Sequence, residues 1–277
     1  MKRFAIAAIA TLAWIVAAAQ ENDRMKKDYD RIQECRENYT ALFGGEALTG
    51  KGSDPEMMDI LQKFIFGDVF STGKLERPVR EMITCTVLSA LQTLPQLKAH
   101  AGAALNVGVT PLQLREIAYL CAPFIGFPRT LNAISTIDAV LTERGVSLPL
   151  ESCATTDEST RHERGALIRE SLFEENEPSI FEEMPGGYGE DLENFLTDYC
   201  FGDIYTRSGL DLKTKEMLVL CIITSLGQKD MIPEHVKAAL RAGNTREELV
   251  EAIMQCLPYT GFPLATGTLV QIRDARP

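Results

Sequence analysis

The sequence is poor in the residues from which most metal sites and nucleic-acid surfaces are built. It holds three histidines and one tryptophan in 277 residues and has no CxxC, HxxxH or HExxH spacing, so no local motif supplies the three protein ligands of a metal centre. Positive charge is also scarce, with 28 Lys and Arg against 39 Asp and Glu and a formal charge of −11. That field repels phosphate backbones and argues against nucleic acid as a partner. Low-complexity sequence is absent, and 45% apolar with 24% charged residues is the balance of a packed soluble chain rather than a disordered one. Seven cysteines spread over a chain of this size do not read as a disulfide framework. Cys85, Cys121, Cys221 and Cys256 lie in apolar runs, where a thiol acts as a small hydrophobe, so few or no disulfides are expected.

A long hydrophobic run is missing too. The stretch from Phe4 to Ala19 covers 16 residues, short of the ~20 that a spanning helix needs. It follows Lys2 and Arg3 and ends in small residues, the pattern of a secretory signal peptide. Residues 1–19 are therefore expected to be cleaved after Ala19, leaving an exported protein, periplasmic or secreted, with no stable membrane anchor. An uncleaved N-terminal anchor is the alternative.

The sequence does contain an internal repeat. Shifted by 135 residues, it meets itself without a gap from Phe66 to Pro128. FGD at 66–68 falls on FGD at 201–203, Glu81 on Glu216, His100 on His235, Gly108 on Gly243, Thr110 on Thr245, and Glu116 on Glu251. The phrase CAPFIGFP at 121–128 returns as CLPYTGFP at 256–263. Such self-similarity marks a tandem duplication. Apolar residues recur at three and four, which predicts helices over 57–70, 79–94, 96–108, 110–124 and 128–145, preceded by one over 26–43. Gly108 and Gly243 fit helix C-termini, Thr110 with Gln113 and Thr245 with Glu248 fit capping boxes, and Pro111 fits a first helical position. The repeated GFP phrase reads as a helix–helix corner, with a pocket wall as its functional alternative. The first repeat is expected over 20–150, a polar linker over 151–165 and the second repeat over 166–277.

Two of the three histidines occupy equivalent positions, each 19 residues after a glutamate on the preceding helix. Helices of this length return residues so spaced to one level, so Glu81 meets His100 and Glu216 meets His235. A carboxylate on one imidazole nitrogen selects the tautomer and leaves the other nitrogen to act, making a proton-transfer unit. The alternative is a buried polar pair that only ties two helices together.

These motifs resemble the carboxymuconolactone decarboxylase family, which includes the alkylhydroperoxidase D-like proteins. The resemblance rests on Glu81, His100, AALNVGVTPLQLREI and PFIGFP, and on Glu216, EHVKAALRAGNTREELVEAI and PYTGFP. It implies an all-α fold, with the two units of one chain imitating a dimer and a trimer of such chains as the homo-oligomer. It also implies either cofactor-free decarboxylation of a small lactone or keto acid, or thiol peroxidase chemistry. The peroxidase relay places cysteines seven and four positions before the histidine, where this chain has Thr93 and Gln96, then Gln228 and Met231; that activity is therefore disfavoured. In the decarboxylase reading His100 or His235 donates the proton and Glu81 or Glu216 orients it. Arg80, Lys215 or Arg129 hold substrate carboxylates, and Tyr259 with the corner glycines Gly126 and Gly261 lines the site. No metal or other cofactor is called for. The copies differ at Arg129 and Leu264, and at Phe124 and Tyr259, so one site is open to decay. A non-catalytic exported binding protein is the remaining alternative.

Overall fold

The computed structural model describes residues 29–173 and 181–275. The expected signal segment lies outside the described residues. Every regular element described is helical. In chain order these are α1 (Arg31–Phe43), α2 (Pro55–Gln62), α3 (Arg77–Leu91), α4 (Leu94–Asn106), α5 (Pro111–Ile125), α6 (Phe127–Glu143), α7 (Arg161–Leu172), α8 (Gly189–Phe195), α9 (Leu212–Leu226), α10 (Ile232–Arg241), α11 (Arg246–Thr260) and α12 (Phe262–Asp274). The order runs the same way through both halves, so the fold is all-α and duplicated as the sequence implies. One boundary differs. Within the polar segment expected as linker over 151–165, α7 begins at Arg161, and Gly165 packs closely on the π-helical turn over Leu196–Tyr205.

The described residues form two compact units: one takes 29–39 together with Glu46–Ser71, and the other takes Thr40–Gly45 with the described residues from Thr72 on. In the first unit α2 runs on as a π-helical turn over Lys63–Val69. Gly67 lies on it so close to α1 that an added Cβ would be 2.7 Å from the Arg31 carbonyl oxygen, while Asp68 pairs with the Arg31 guanidinium at 2.6 Å. The second unit repeats the device. There α8 widens over Leu196–Tyr205, a Cβ on Gly202 would stand 2.5 Å from the Arg161 carbonyl, and Asp203 faces Arg161 at 3.4 Å. This is the physical content of the repeated FGD: a glycine for backbone approach, then an aspartate for the arginine that arrives. The straight helices expected over these stretches carry a π turn instead, a distortion often found where a functional or packing demand is met.

The centre of the second unit is the pair α3 and α9, which pack on each other. Arg80–Ala90 and Lys215–Ser225 are buried without interruption, as expected for helices surrounded on all sides. Their polar residues bond to the turn before. Thr84, Thr86, Ser89, Thr224 and Ser225 each donate to the carbonyl four residues back at 2.7–2.9 Å, so none of these five hydroxyls is buried unpaired. Helix α3 also packs on α11 of the other repeat, and α9 on α5. The repeats thus exchange helices across a shared core, as two protomers would. Gly126 (φ 78°) and Gly261 (φ 75°) turn the chain between α5 and α6 and between α11 and α12, a backbone region that L-residues avoid.

Candidate active site

Glu81 and Glu216 lie in the second turns of α3 and α9, and both carboxylates are fully buried. A left-handed residue ends each of these helices, Gln92 (φ 59°) and Gly227 (φ 69°). The chain then doubles back into α4 and α10 and brings the histidines to the glutamates. His100 Nδ1 lies 2.9 Å from Glu81 Oε2 and 3.2 Å from Oε1, and His235 Nδ1 lies 3.3 Å from Glu216 Oε2. The 19-residue spacing thus forms the expected contact in both repeats. Among the described residues neither Nε2 has a hydrogen-bond partner. Each imidazole side chain keeps 9% of its surface open. The pairs are therefore nearly but not wholly sealed.

Aromatic rings surround both imidazoles. Phe43 and Tyr259 stand edge-on to His100 at centroid distances of 5.5 and 5.8 Å, and Phe173 and Phe124 stand at 5.4 and 6.2 Å from His235. Tyr259 and Phe124 come from the two corner phrases, and each serves the histidine of the opposite repeat. Gly126 and Gly261 contribute by setting the turn that ends the helices carrying these rings.

The expected cationic clamps are placed differently. Arg80 is 2% exposed; its Nε donates to the Leu75 carbonyl at 2.8 Å, Nη2 to the Thr72 carbonyl at 2.5 Å and Nη1 to Gln255 Oε1 at 3.3 Å. Lys215 Nζ donates to the carbonyls of Tyr205 and Arg207 at 2.7 and 2.5 Å, and burial lowers its pKa to about 8. Both cations tie down the loops entering α3 and α9, where the decarboxylase resemblance implied substrate carboxylates. Arg129 is exposed on α6, where its carbonyl accepts from Gln92 at the far end of α3 from Glu81. Eleven residues of helix separate those positions, roughly 16 Å at 1.5 Å per residue.

Several residues went unassigned from the sequence. Glu116 and Glu251 had shown themselves only as a repeated letter. Glu251 Oε2 accepts the backbone N–H groups of Lys74 and Leu75 at 2.7 and 2.8 Å, across the repeat boundary. Glu116 takes Arg207 in a two-pronged grip at 2.6 and 3.0 Å and Arg115 at 2.9 Å. Burial pushes the Glu116 carboxyl up, but the two guanidiniums outweigh it and hold the pKa below the usual value. Tyr205 adds a hydrogen bond to Glu216 Oε1 at 2.6 Å. No sequence pattern marked it, since Phe70 stands at the matching position.

All seven cysteines are buried and unpaired. Burial pushes the thiols of Cys121 and Cys200 up to about 12 and that of Cys85 well above its ordinary value, which suppresses the nucleophilic thiolate. Among the described residues no three His, Cys, Asp or Glu side chains are grouped as metal ligands, and no helix is long and apolar enough to cross a membrane.

Residues 55–139 and 190–272 each match the carboxymuconolactone decarboxylase family. The chain is 25% identical over 113 residues to 4-carboxymuconolactone decarboxylase of Acinetobacter baylyi, covering 41% of this chain and 84% of that protein. It is 28% identical over 127 residues to nitrosuccinic acid decarboxylase of Metarhizium robertsii, covering 44% of this chain and 86% of that one. Relatives of about one repeat in length thus cover less than half of this chain, as a duplication requires. A solved structure from Burkholderia xenovorans LB400, described as a gamma-carboxymuconolactone decarboxylase subunit, shares the fold with a TM-score of 0.50 at 20% identity, covering 87% of this chain and 95% of that one.

Proposed function

Because the chain belongs to the carboxymuconolactone decarboxylase family, we propose that it is a cofactor-free decarboxylase of a small lactone or keto acid, with a Glu–His pair as its proton-transfer unit. The observation that carries this reading is the contact of a sealed carboxylate with Nδ1 of an aromatic-walled histidine, made in both repeats. Glu81 and Glu216 hold the rings through Nδ1–H, and in the imidazolium form the Nε2–H faces the reacting atoms. The bond between the substrate carboxyl carbon and its neighbour breaks. Its electron pair moves into the conjugated carbonyl to give an enolate, carbon dioxide leaves, and the proton on Nε2 passes to the carbon. A proton from solvent then restores the imidazolium. The aromatic walls keep the site dry, which favours loss of a carboxylate's charge. The lowered nucleophilicity of the buried thiols supports acid–base chemistry over peroxide reduction.

The reading includes export after cleavage at Ala19 and a homo-oligomer of two-repeat chains, a trimer by analogy with six single units. A secreted chain beginning at Gln20 and a mass three times that of the cleaved chain are the expected results of N-terminal sequencing and light scattering. The activity test is carbon dioxide release from a panel built on 4-carboxymuconolactone, nitrosuccinate and simple β-keto acids. The double variant His100→Ala/His235→Ala is expected to lose about 10²–10⁴-fold in kcat, the usual contribution of a positioned general acid. No release by the unaltered protein from the whole panel, or release untouched in the double variant, overturns the reading.

A further inference from the structure

The two Glu–His centres differ at linked positions. Beside His100, Arg80 Nη1 donates to Gln255 Oε1 at 3.3 Å, and Gln255 Nε2 donates to Thr84 Oγ1 at 3.2 Å. The Thr84 hydroxyl then reaches Tyr259 Oη at 3.4 Å. Beside His235 the matching positions are Lys215, Leu120, Val219 and Phe124. A polar chain that runs from a buried cation to a phenol in one half is thus replaced by hydrocarbon in the other. Arg80, Gln255 and Thr84 are all 2% exposed or less, as are Leu120 and Val219. Either set fills the space, and the polar one is the costlier to desolvate. Packing therefore does not account for it.

The chain has a direction. The Arg80 and Gln255 N–H groups both point along it toward Thr84 and Tyr259, so the positive ends of these dipoles are turned to the phenol's side and favour negative charge beyond it. The phenol is also weakly held. Thr84 has one proton, and the Arg80 carbonyl at 2.9 Å competes for it, which leaves Tyr259 Oη with no hydrogen bond shorter than 3.4 Å among the described residues. In that contact the phenol is the acceptor, so its own proton is available to an anionic oxygen arriving beside His100. In the other half the tyrosine stands behind the carboxylate, where Tyr205 spends its proton on Glu216 Oε1, and the ring in front of His235 is Phe124.

We propose that the Tyr259 hydroxyl is the hydrogen-bond donor for a substrate oxyanion at the Glu81–His100 centre, and that this centre, not Glu216–His235, is the one that takes an enolate-forming acid. The reaction step rests on the decarboxylase reading above. As the carbon–carbon bond breaks, the charge that collects on the carbonyl oxygen meets the Tyr259 O–H, while His100 Nε2 delivers its proton to carbon. The phenol keeps its own proton throughout.

Oxalate, which has the shape and charge of the enolate of a 2-keto acid, tests the binding claim without turnover. The ring resonances of the three histidines, assigned by single substitution to Gln, are followed by NMR in the full chain as oxalate is added. A saturating shift at His100 with none at His235 is expected, weakened at least about tenfold by Tyr259→Phe. In the activity assay Tyr259→Phe is expected to lower kcat by about 10²-fold, the cost of deleting one oxyanion donor. The substitution puts into this half the ring that already packs in the other, so folding is retained, and an unchanged Tm checks it. Equal shifts at both histidines, a shift at His235 alone, no shift at all, or an oxalate affinity and kcat indifferent to Tyr259→Phe each overturn the proposal. A Tyr259-dependent shift at His100 without carbon dioxide release from any acid retains the oxyanion site and discards the decarboxylase reading. Release that survives Tyr259→Phe does the reverse.

Discussion

Tyr205 Oη donates to Glu216 Oε1 at 2.6 Å, so the Glu216 carboxylate divides its oxygens between a phenol and His235, whereas Glu81 offers both of its oxygens to His100. The hydroxyl is buried with the carboxylate, and its removal strips a charged acceptor of a donor that water cannot replace. Tyr205→Phe is expected to destabilise the protein by about 1–3 kcal/mol. A urea titration reads this as a lower midpoint at unchanged slope; an unmoved midpoint would show that the bond contributes nothing.

Glycine in the repeated FGD makes a sharper prediction. A Cβ on Gly202 would lie 2.5 Å from the Arg161 carbonyl, which is backbone and cannot swing aside, whereas a Cβ on Gly267 in α12 meets nothing within 4 Å. Gly202→Ala should therefore cost more than about 2 kcal/mol by overpacking. Gly267→Ala should stabilise by roughly 0.5–1 kcal/mol through helix propensity. Thermal melts of the two variants should move in opposite directions.

The helices, corners and caps were legible because each is written in local chemistry. Thr110 with Gln113 and Thr245 with Glu248 form the full capping boxes that their spacing predicts, and the GFP corners turn at the glycines expected. The Glu–His contact was legible because helical rise converts a 19-residue separation into proximity. What escaped was anything set by the opposite repeat. Arg80 and Lys215 read as free cations beside a site, yet their donors are absorbed by carbonyls of the loops before α3 and α9. The Arg80–Gln255–Thr84–Tyr259 chain joins residues about 175 positions apart, and no periodicity reports such a contact. Even so, the mismatch of Tyr259 with Phe124 marked the place where the two copies had parted.

Alkaline pH should unfold the protein through its thiols. Burial raises Cys121 and Cys200 from 9.0 to about 12. The unfolded chain therefore ionises first, and the stability these groups hold, intact below pH 9, is lost as pH climbs from 9 toward 12. Each contributes a slope of about 1.4 kcal/mol per pH unit in that window. Lys215 works the other way. Its folded pKa is lowered from 10.5 to about 8 by burial, so its penalty is relieved between pH 8 and 10.5. Two thiols outweigh one amine above pH 9, and the urea midpoint should fall there. Cys121→Ala should flatten the fall, and an equal slope in that variant would reject the assignment.

The grip of Arg207 on Glu116 joins the second repeat to the first, and its geometry predicts an asymmetric cost. Glu116 is 2% exposed in its side chain and Arg207 12%; the guanidinium meets both carboxylate oxygens, at 2.6 and 3.0 Å. Replacing the arginine alone leaves a buried carboxylate with Arg115 as its remaining hydrogen-bonded cation, so Arg207→Met should destabilise by about 3–5 kcal/mol. Replacing both, as Glu116→Gln/Arg207→Met, removes the charge along with its partner and should recover most of that loss. The pH dependence follows from the lowered Glu116 pKa. The stability it confers is complete above the unfolded carboxyl value of 4.5 and is lost as pH falls through the lower folded value. The gap between the unaltered protein and Arg207→Met should therefore be full at pH 7 and narrow below about pH 4.5. Urea unfolding of the four proteins of the cycle at pH 7 and pH 3.5 measures both effects, and a gap that stays constant with pH would mean that the pair holds the repeats together by packing alone.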